Sequence, residues 1–106
     1  MSDLTQTFAA LGNDTRLVLV EQLLAKGELA AGDLLAEAGI SGPALSRHLK
    51  VLREAGIVTR RIEAQRRLYS VRPAALQAVG DWALTYRAFW GGSLDRLEAA
   101  LNKERH

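Results

Sequence analysis

Residues 41–71 read SGPALSRHLKVLREAGIVTRRIEAQRRLYSV, and the spacing of apolar residues changes once along this stretch. Three leucines at helical spacing in its first half predict one buried helix face: Leu45, Leu49 and Leu52. After Gly56 the pattern becomes two extended runs that are rich in β-branched, Tyr and Leu residues. The stretch therefore predicts a helix over about 41–55, followed by a β-hairpin wing over about 57–71.

The predicted wing is basic, and its tip contains no glycine. The four residues between the extended runs, 63–66, read EAQR, whereas a tight primed turn favours glycine. We therefore expect a somewhat longer loop. Arg60 and Arg61 are consecutive, so their side chains point to opposite faces of the strand. At most one of them can easily face a ligand, and we expect the other to pair with an acid such as Glu63 or one on a neighbouring helix.

Upstream, capping and stop residues delimit three short helices. The first ends at Gly12, the second runs from Asn13 to Gly27, and the third spans about 31–38. Apolar residues at helical spacing mark the first two: Leu4, Phe8 and Leu11, then Leu17, Val20 and Leu24. Only two residues separate the third helix from Ser41, which is a strong N-cap for the next one. Two helices joined by such a tight turn are typical of the helix-turn-helix motif.

Downstream, Pro73 opens a final helical segment that we expect to run to about Leu101. Apolar residues recur every three or four positions along it: Leu76, Val79, Ala83, Tyr86, Trp90, Leu94, Leu97 and Leu101. Only Gly91-Gly92 interrupts this stripe, at a cost of about 1 kcal/mol per glycine relative to alanine. The expected fold is mainly α with a small β-hairpin. It is a winged helix-turn-helix with about five helices and a two-stranded wing, a single domain over residues 1–106.

The composition excludes several classes of protein. A chain of 106 residues fits one domain and leaves no room for a separate catalytic domain. It contains no cysteine, so disulfides, thiol redox sensing and thiolate metal sites are excluded. No apolar run could cross a membrane and the N-terminus has no signal-peptide pattern, so we expect a cytoplasmic protein. Neither a catalytic residue set nor a phosphate-binding glycine loop is present, and we expect no enzyme and no cofactor.

The charge is unevenly distributed along the chain. Between Arg47 and Arg72 there are eight Lys or Arg and two acids, a net +6, whereas the rest has six bases and ten acids, a net −4. A basic segment within an otherwise acidic chain indicates a local site for a polyanion. A solvated charged face is the alternative.

The outward face of the 41–55 helix suits the major groove of DNA. Its first turns carry small or hydrogen-bonding residues that let the backbone approach base edges: Gly42, Pro43, Ala44, Ser46 and Arg47. Arg47 can contact a guanine through two hydrogen bonds, and Ser46 can bond to a base or a phosphate. The sequence therefore predicts a DNA-reading helix, although solvated helix charges are the alternative for its basic residues.

Phosphate contacts are expected around these reading residues. Lys50 and Arg53 lie further along the helix and suit phosphates, while Arg66 and Arg67 of the wing could follow a backbone or enter a minor groove. We expect His48 to be packed or phosphate-facing rather than a metal ligand. The full candidate DNA-binding set is Ser41, Gly42, Pro43, Ala44, Ser46, Arg47, His48, Lys50, Arg53, Arg66 and Arg67.

Three segments of the chain resemble the ArsR-type family of small winged-helix repressors. They are 8–16 (FAALGNDTR), 46–58 (SRHLKVLREAGIV) and 66–69 (RRLY), within a match that spans roughly 8–101. The aromatic C-terminal run resembles a non-metal branch of that family. The resemblance implies a homodimer, built from the first and last helices, that binds an imperfect inverted repeat of double-stranded DNA in its own promoter region. It also implies an inducing signal, such as an unknown small molecule, that releases the DNA.

Two positions depart from the family pattern. Gly42 stands where members often carry Gln after the N-cap serine, which leaves the base preference there open. Gly91-Gly92 replaces more helix-favouring residues, so we expect the last helix to bend there. A winged-helix protein-interaction module that does not read DNA is the rival function, and Gly42 together with the uncapped Ala30 leaves room for it.

The last helix concentrates aromatic residues, four of the chain's six within nine positions: Trp82, Tyr86, Phe89 and Trp90. A helix with so much apolar surface must bury it, and a dimer core is the leading interpretation. The expected dimer interface is Leu4, Phe8, Trp82, Tyr86, Phe89, Trp90, Leu94 and Leu97. A small-molecule pocket between the helices, with space left by Gly91-Gly92, is the alternative.

Metal sensing is a known output of the family, and we expect none here. Such sites need thiolates or clustered His and acidic ligands, whereas this chain has no Cys and only His48 and His106. A site that pairs Asp81 with the partner's His106 is conceivable but too sparse to expect.

Overall fold

A computed structural model describes residues 3–104 of the chain, apart from the side chains at 88–90, 93, 94 and 104. Within this range the chain forms six helices and a three-stranded antiparallel sheet. The helices are α1 (Asp3–Leu11), α2 (Asp14–Lys26), α3 (Ala31–Ala38), α4 (Gly42–Glu54), α5 (Pro73–Thr85) and α6 (Arg87–Glu104). The strands are β1 (Leu29–Ala30), β2 (Val58–Glu63) and β3 (Arg66–Val71). The predicted winged helix-turn-helix is confirmed, with α3 and α4 as its motif and β2–β3 as its wing.

The helix starts follow from their side chains. The Asn13 side chain and Ser41 Oγ each accept a hydrogen bond from the backbone N–H three residues on, at 3.1 and 3.2 Å. Ala30 offers no such acceptor before α3, and its own N–H instead donates to Asp33 Oδ2 at 3.3 Å. The cap at Ser41 sets the beginning of α4, on which the predicted site depends.

The sheet has the strand order β1-β3-β2, and the wing register begins with Val58 opposite Val71. The sequence does not predict β1, because two residues are too few to show a strand periodicity. Two residues, Ala64 and Gln65, close the hairpin, so the longer loop expected from the sequence is wrong. Ala64 itself supplies the left-handed conformation that the turn needs, at φ 55°.

The core lies between α2, α3, α4 and the sheet. The leucines predicted on the inner face of α4 are confirmed at 0–4% exposure: Leu45, Leu49 and Leu52. The buried face of α2 is displaced from the predicted stripe, because Leu17 and Leu24 are exposed while Leu19 and Leu23 join Val20 in the core. The core thus supports α4 from inside and leaves its other face to solvent.

The C-terminal segment is two helices rather than one. Thr85 ends α5 and Arg87 begins α6, with Tyr86 between them at φ −105° and ψ 20°. The Thr85 hydroxyl donates to the carbonyl oxygen of Asp81 at 2.8 Å, and such a bond competes with the backbone bond to that oxygen. Gly91 and Gly92 both lie within α6, so the helix continues through the two glycines, and the bend expected there stays a prediction. The residues described therefore form six helices instead of about five.

Candidate nucleic-acid interface

The outward face of α4 brings the predicted reading residues together. Ser46, Arg47 and Lys50 are exposed, and Arg53 is half-buried near the end of the helix. Within the described part of the chain, Arg47 has no hydrogen-bond or ion-pair partner. Lys50 Nζ lies 3.9 Å from Glu54 Oε1, a loose i,i+4 pair. The Arg47 guanidinium is thus available to a ligand. Lys50 would lose only its weak ion pair with Glu54 on binding one.

The first turn of α4 has little side-chain cover. Ser41 and Pro43 are exposed, and Gly42 and Ala44 are half-buried. A Cβ placed on Gly42 would meet no atom within 4 Å, so packing does not require a glycine at this position. The absence of a side chain instead lets the backbone approach a ligand closely.

Acidic residues hold Arg61 on one face of the wing. Its Nη2 lies 2.7 Å from Glu28 Oε1, and its Nη1 lies 3.1 Å from Glu63 Oε2. This confirms that one of the two consecutive arginines pairs with an acid and that Glu63 is one partner. The hydrogen bonds between Arg61 and Glu28 lower the pKa of Glu28 and raise the pKa of Arg61.

The other wing arginines divide between the two faces of the hairpin. Arg66 lies on the same face as the paired arginine, and its Nη2 is 3.9 Å from Asp33 Oδ2. Arg60 is opposite Tyr69, two residues from Arg67, so Arg60 and Arg67 share the other face. Neither of these two has an ion-pair partner among the residues that the structure describes. The sequence does not identify Arg60 as a site residue, because strand register decides which arginines share a face.

His48 is half-buried at the border of the exposed face of α4. Its Nδ1 lies 3.3 Å from Arg16 Nη1, and Arg16 Nε donates to the carbonyl oxygen of Ala10 at 2.6 Å. His48 therefore packs against the junction of α1 and α2, one of the two environments predicted for it. The sequence does not point to Arg16, because 32 positions separate it from His48.

Three aromatic residues form an exposed row on α1 and α5. The ring centroids of Phe8 and Trp82 are 5.3 Å apart in an edge arrangement, and those of Trp82 and Tyr86 are 5.6 Å apart. Their exposed fractions are 40, 39 and 50%, in chain order. Of the other predicted interface residues, Leu97 is exposed and Leu4 half-buried, while Phe89, Trp90 and Leu94 lie outside the described side chains.

Known proteins share this sequence and architecture. A family model described as a helix-turn-helix domain matches residues 11–61. The HTH-type transcriptional regulator Rv2034 of Mycobacterium tuberculosis is 42% identical over 74 residues, 70% of this chain and 68% of that protein. The transcriptional repressor SdpR of Bacillus subtilis is 30% identical over 83 residues, 78% of this chain and 91% of that protein. The solved structure of an ArsR-like transcriptional regulator from Rhodococcus sp. RHA1 matches with a TM-score of 0.71 at 26% identity, over 95% of this chain and 91% of that one. The chain belongs to the ArsR family.

As an ArsR-family member, the chain is a DNA-binding transcriptional regulator rather than an enzyme. Regulators of this family bind DNA operators, typically as dimers. The function class predicted from the basic segment and from the outward face of α4 is therefore confirmed.

Two observations on this ArsR-family chain concern metal ions and membranes. Within residues 3–104, no three His, Cys, Asp or Glu side chains form a group that could hold a metal ion. His106, considered above with Asp81, lies outside the described residues. None of the helices in the described range is long and apolar enough to cross a bilayer.

An open cavity of about 350 Å³ lies between α1, the end of α4 and the start of α5. Charged side chains from all three places line it, namely Asp3, Glu54 and Arg72. This cavity of the ArsR-family chain adjoins both the recognition motif and the helices expected to dimerise.

Proposed function

We propose that the chain is a homodimeric repressor that binds an inverted-repeat operator in its own or an adjacent promoter, with one α4 in each half-site. The contrast between the two faces of α4 carries this proposal. Its inner leucines are buried, while Arg47 on its outer face has no hydrogen-bond or ion-pair partner among the residues that the structure describes. Two such helices in successive major grooves need half-sites about 34–36 Å apart. The repressor SdpR among the relatives supports the direction of regulation.

Base reading is assigned to the N-terminal half of α4. Arg47 would donate two hydrogen bonds to O6 and N7 of a guanine, and Ser46 would bond to a neighbouring base or phosphate. The open backbone around Gly42 allows the helix to enter the groove deeply. Lys50 and Arg53, one and two turns further on, contact the phosphates that set the register.

The wing contributes phosphate contacts mainly from one face. Arg67 and Arg60 share that face and form no ion pair within the described part of the chain, so they can bind a phosphate without breaking one. Arg66 must first leave Asp33 and is the weaker candidate, although exposed pairs of this kind contribute little energy. We therefore propose Arg60 as a contact beyond those predicted from the sequence.

The exposed surface of the chain supports a dimer. It amounts to 7535 Å², whereas a compact monomeric protein of 11.6 kDa exposes roughly 5,800 Å². The difference, roughly 1,700 Å², is enough for an interface of standard size. The aromatic row of Phe8, Trp82 and Tyr86 supplies its apolar centre. We propose that this row and α6 pack against the same elements of a second copy of the chain. Each subunit of this dimer forms one domain.

The signal that releases DNA is proposed to be a small molecule rather than a metal ion. The sequence contains no cysteine, which favours the non-metal-sensing branch of the family. The cavity between α1, α4 and α5 is the proposed inducer site, since it adjoins both the dimerising helices and the recognition helix. A regulator of this kind acts in the cytoplasm, beside its DNA.

Selection from a pool of promoter fragments at a stated salt concentration tests this function. The full chain should enrich an inverted repeat whose half-site centres are about 10–10.5 base pairs apart. The logarithm of its affinity should fall with the logarithm of salt concentration, by about 0.9 for each phosphate neutralised. Equal binding to all sequences, or none at low salt, would instead favour the winged-helix protein-interaction module.

A further inference from the structure

We infer that Arg16 holds His48 in the tautomer that carries its proton on Nε2, so that this N–H is offered as a hydrogen-bond donor to the DNA backbone. The inference rests on the DNA-binding function proposed above. It adds Arg16 to the site as a positioning residue that does not itself touch DNA.

The contact between the two side chains determines the tautomer. Arg16 Nη1 lies 3.3 Å from His48 Nδ1. A guanidinium group can only donate hydrogen bonds, so Nδ1 must be the acceptor and the proton of the neutral ring resides on Nε2. Within the described residues Nε2 has no hydrogen-bond partner. The ring therefore has one nitrogen engaged and one donor unused.

The guanidinium that sets this arrangement is itself held in place. Arg16 Nε donates to the carbonyl oxygen of Ala10 in the last turn of α1, at 2.6 Å. The backbone N–H of Arg16 donates to the Asn13 side chain at 3.1 Å, within the cap of α2. Both the backbone and the guanidinium of Arg16 are therefore held at the α1–α2 junction. Because Arg16 would not follow the imidazole, rotation of the ring would break the contact between the two side chains.

His48 lies where the unused donor can reach DNA. It follows Arg47 on α4 and is half-buried, on the flank between the buried and the exposed face. Nδ1 faces the α1–α2 junction, and Nε2 lies on the far side of the ring. A neutral N–H donor beside a base-reading arginine suits a phosphate oxygen, where it fixes register without reading sequence.

Long-range ¹H–¹⁵N NMR of the free full-length protein, at a pH where the ring is neutral, tests the tautomer without DNA. The His48 signals should show the Nε2–H form in the wild type and a mixture of both forms in Arg16→Met. An Nδ1–H form in the wild type would overturn the inference, and so would an identical tautomer ratio in Arg16→Met.

Two amide substitutions test the donor on the selected operator. The amide of Gln lies near the position of Nε2, and that of Asn lies near the position of Nδ1. His48→Gln should bind within about twofold of the wild type, whereas His48→Asn should bind roughly tenfold more weakly. Arg16→Met should lower the operator affinity of the wild type by a similar factor. In the His48→Gln background the same substitution should have no further effect on affinity. If the role of Arg16 were only structural, Arg16→Met would lower the operator affinity equally in the wild-type and His48→Gln backgrounds.

The outcomes separate this inference from the proposed function. Equal affinities of His48→Gln and His48→Asn would overturn the donor role while the operator selection still stands. A wild type that selects no operator would overturn both the proposed function and the donor role, and the tautomer assignment would be judged by NMR alone.

Discussion

Arg61 on β2 and Glu28, which precedes β1, form an ion pair with two hydrogen bonds across the sheet. Arg61 Nε lies 2.8 Å from Glu28 Oε2, and Arg61 Nη2 lies 2.7 Å from Oε1. Strand β3 separates β2 from β1, so the pair spans the central strand. The wing is thereby tied to the body of the molecule on one face, while Arg60 and Arg67 on the other face form no ion pair with any residue that the structure describes.

This pair predicts a distinctive titration of Glu28. Hydrogen bonds from Arg61 hold the pKa of Glu28 below its ordinary value of 4.5. Because the pKa is lowered by folding, the pair stabilises the folded protein above that ordinary value, and this contribution is lost as the pH falls through the folded pKa. Carboxyl ¹³C NMR should show the low pKa in the wild type and its return toward 4.5 in Arg61→Met.

Arg66→Met is the matched control for this titration. Arg66 lies on the same face of the wing but contacts Asp33 instead, so the pKa of Glu28 should stay low in this variant. A Glu28 pKa that is the same in Arg61→Met and in the wild type would show that the pair does not persist in solution.

Arg47 and Lys50 are expected to affect DNA binding in different ways. Arg47→Ala should cost about 1–3 kcal/mol on the best operator and relax the base preference at one position of each half-site. Lys50→Ala should weaken all sequences alike and reduce the slope of the salt dependence by about 1. Titrations of operator and scrambled DNA at several salt concentrations measure both effects. If Arg47→Ala bound the operator as tightly as the wild type, the assignment of α4 as the base-reading helix would be wrong.

The sequence predicted α4 well because the determinants of this helix are local. The cap at Ser41 and the three buried leucines all lie within one short stretch, and each acts through its near neighbours. The contacts of the site are not local: Arg61 lies 33 positions from Glu28 and Arg16 lies 32 from His48. Spacing along the chain has no information about such pairs, which only the register and the helix packing bring together.

The break in the C-terminal segment escaped prediction for a different reason. Apolar periodicity continues through Tyr86, and it does not detect the local change of backbone conformation at that residue, where φ is −105° and ψ 20°. The other feature of this segment, Gly91-Gly92, represents about 1 kcal/mol per residue in helix propensity, and propensities of this size are routinely overridden by context. Both glycines accordingly lie inside α6.

The aromatic row predicts the effect of Trp82 on dimerisation. Trp82 contacts rings on both sides and is 39% exposed, so in a dimer it would be a central buried anchor. Trp82→Ala should weaken the dimer by about 2 kcal/mol or more, roughly 30-fold in dissociation constant. Sedimentation equilibrium at several protein concentrations measures this change. Ile62→Ala is the control, since Ile62 is 66% exposed on the wing and should leave the dimer unchanged. Equal dissociation constants for the two variants would place the interface elsewhere.

The tip of the wing predicts opposite effects for two neighbouring glycine substitutions. Ala64 adopts a left-handed conformation at φ 55°, whereas Gln65 keeps a negative φ. The left-handed region costs a residue with a Cβ about 1–2 kcal/mol, and glycine avoids this cost but loses roughly 0.5–1 kcal/mol through its greater freedom when unfolded. Ala64→Gly should therefore raise the free energy of unfolding by roughly 0.5–1 kcal/mol, and Gln65→Gly should lower it by a similar amount.

Urea denaturation followed by circular dichroism measures both variants on the same background. The sign difference is diagnostic of the two-residue turn, because only there does one residue need the left-handed region while the next does not. In the longer loop that the sequence favours, neither residue has to adopt that conformation. Both substitutions would then destabilise the protein slightly, and a loss of stability in Ala64→Gly would argue that the hairpin does not close at Ala64-Gln65.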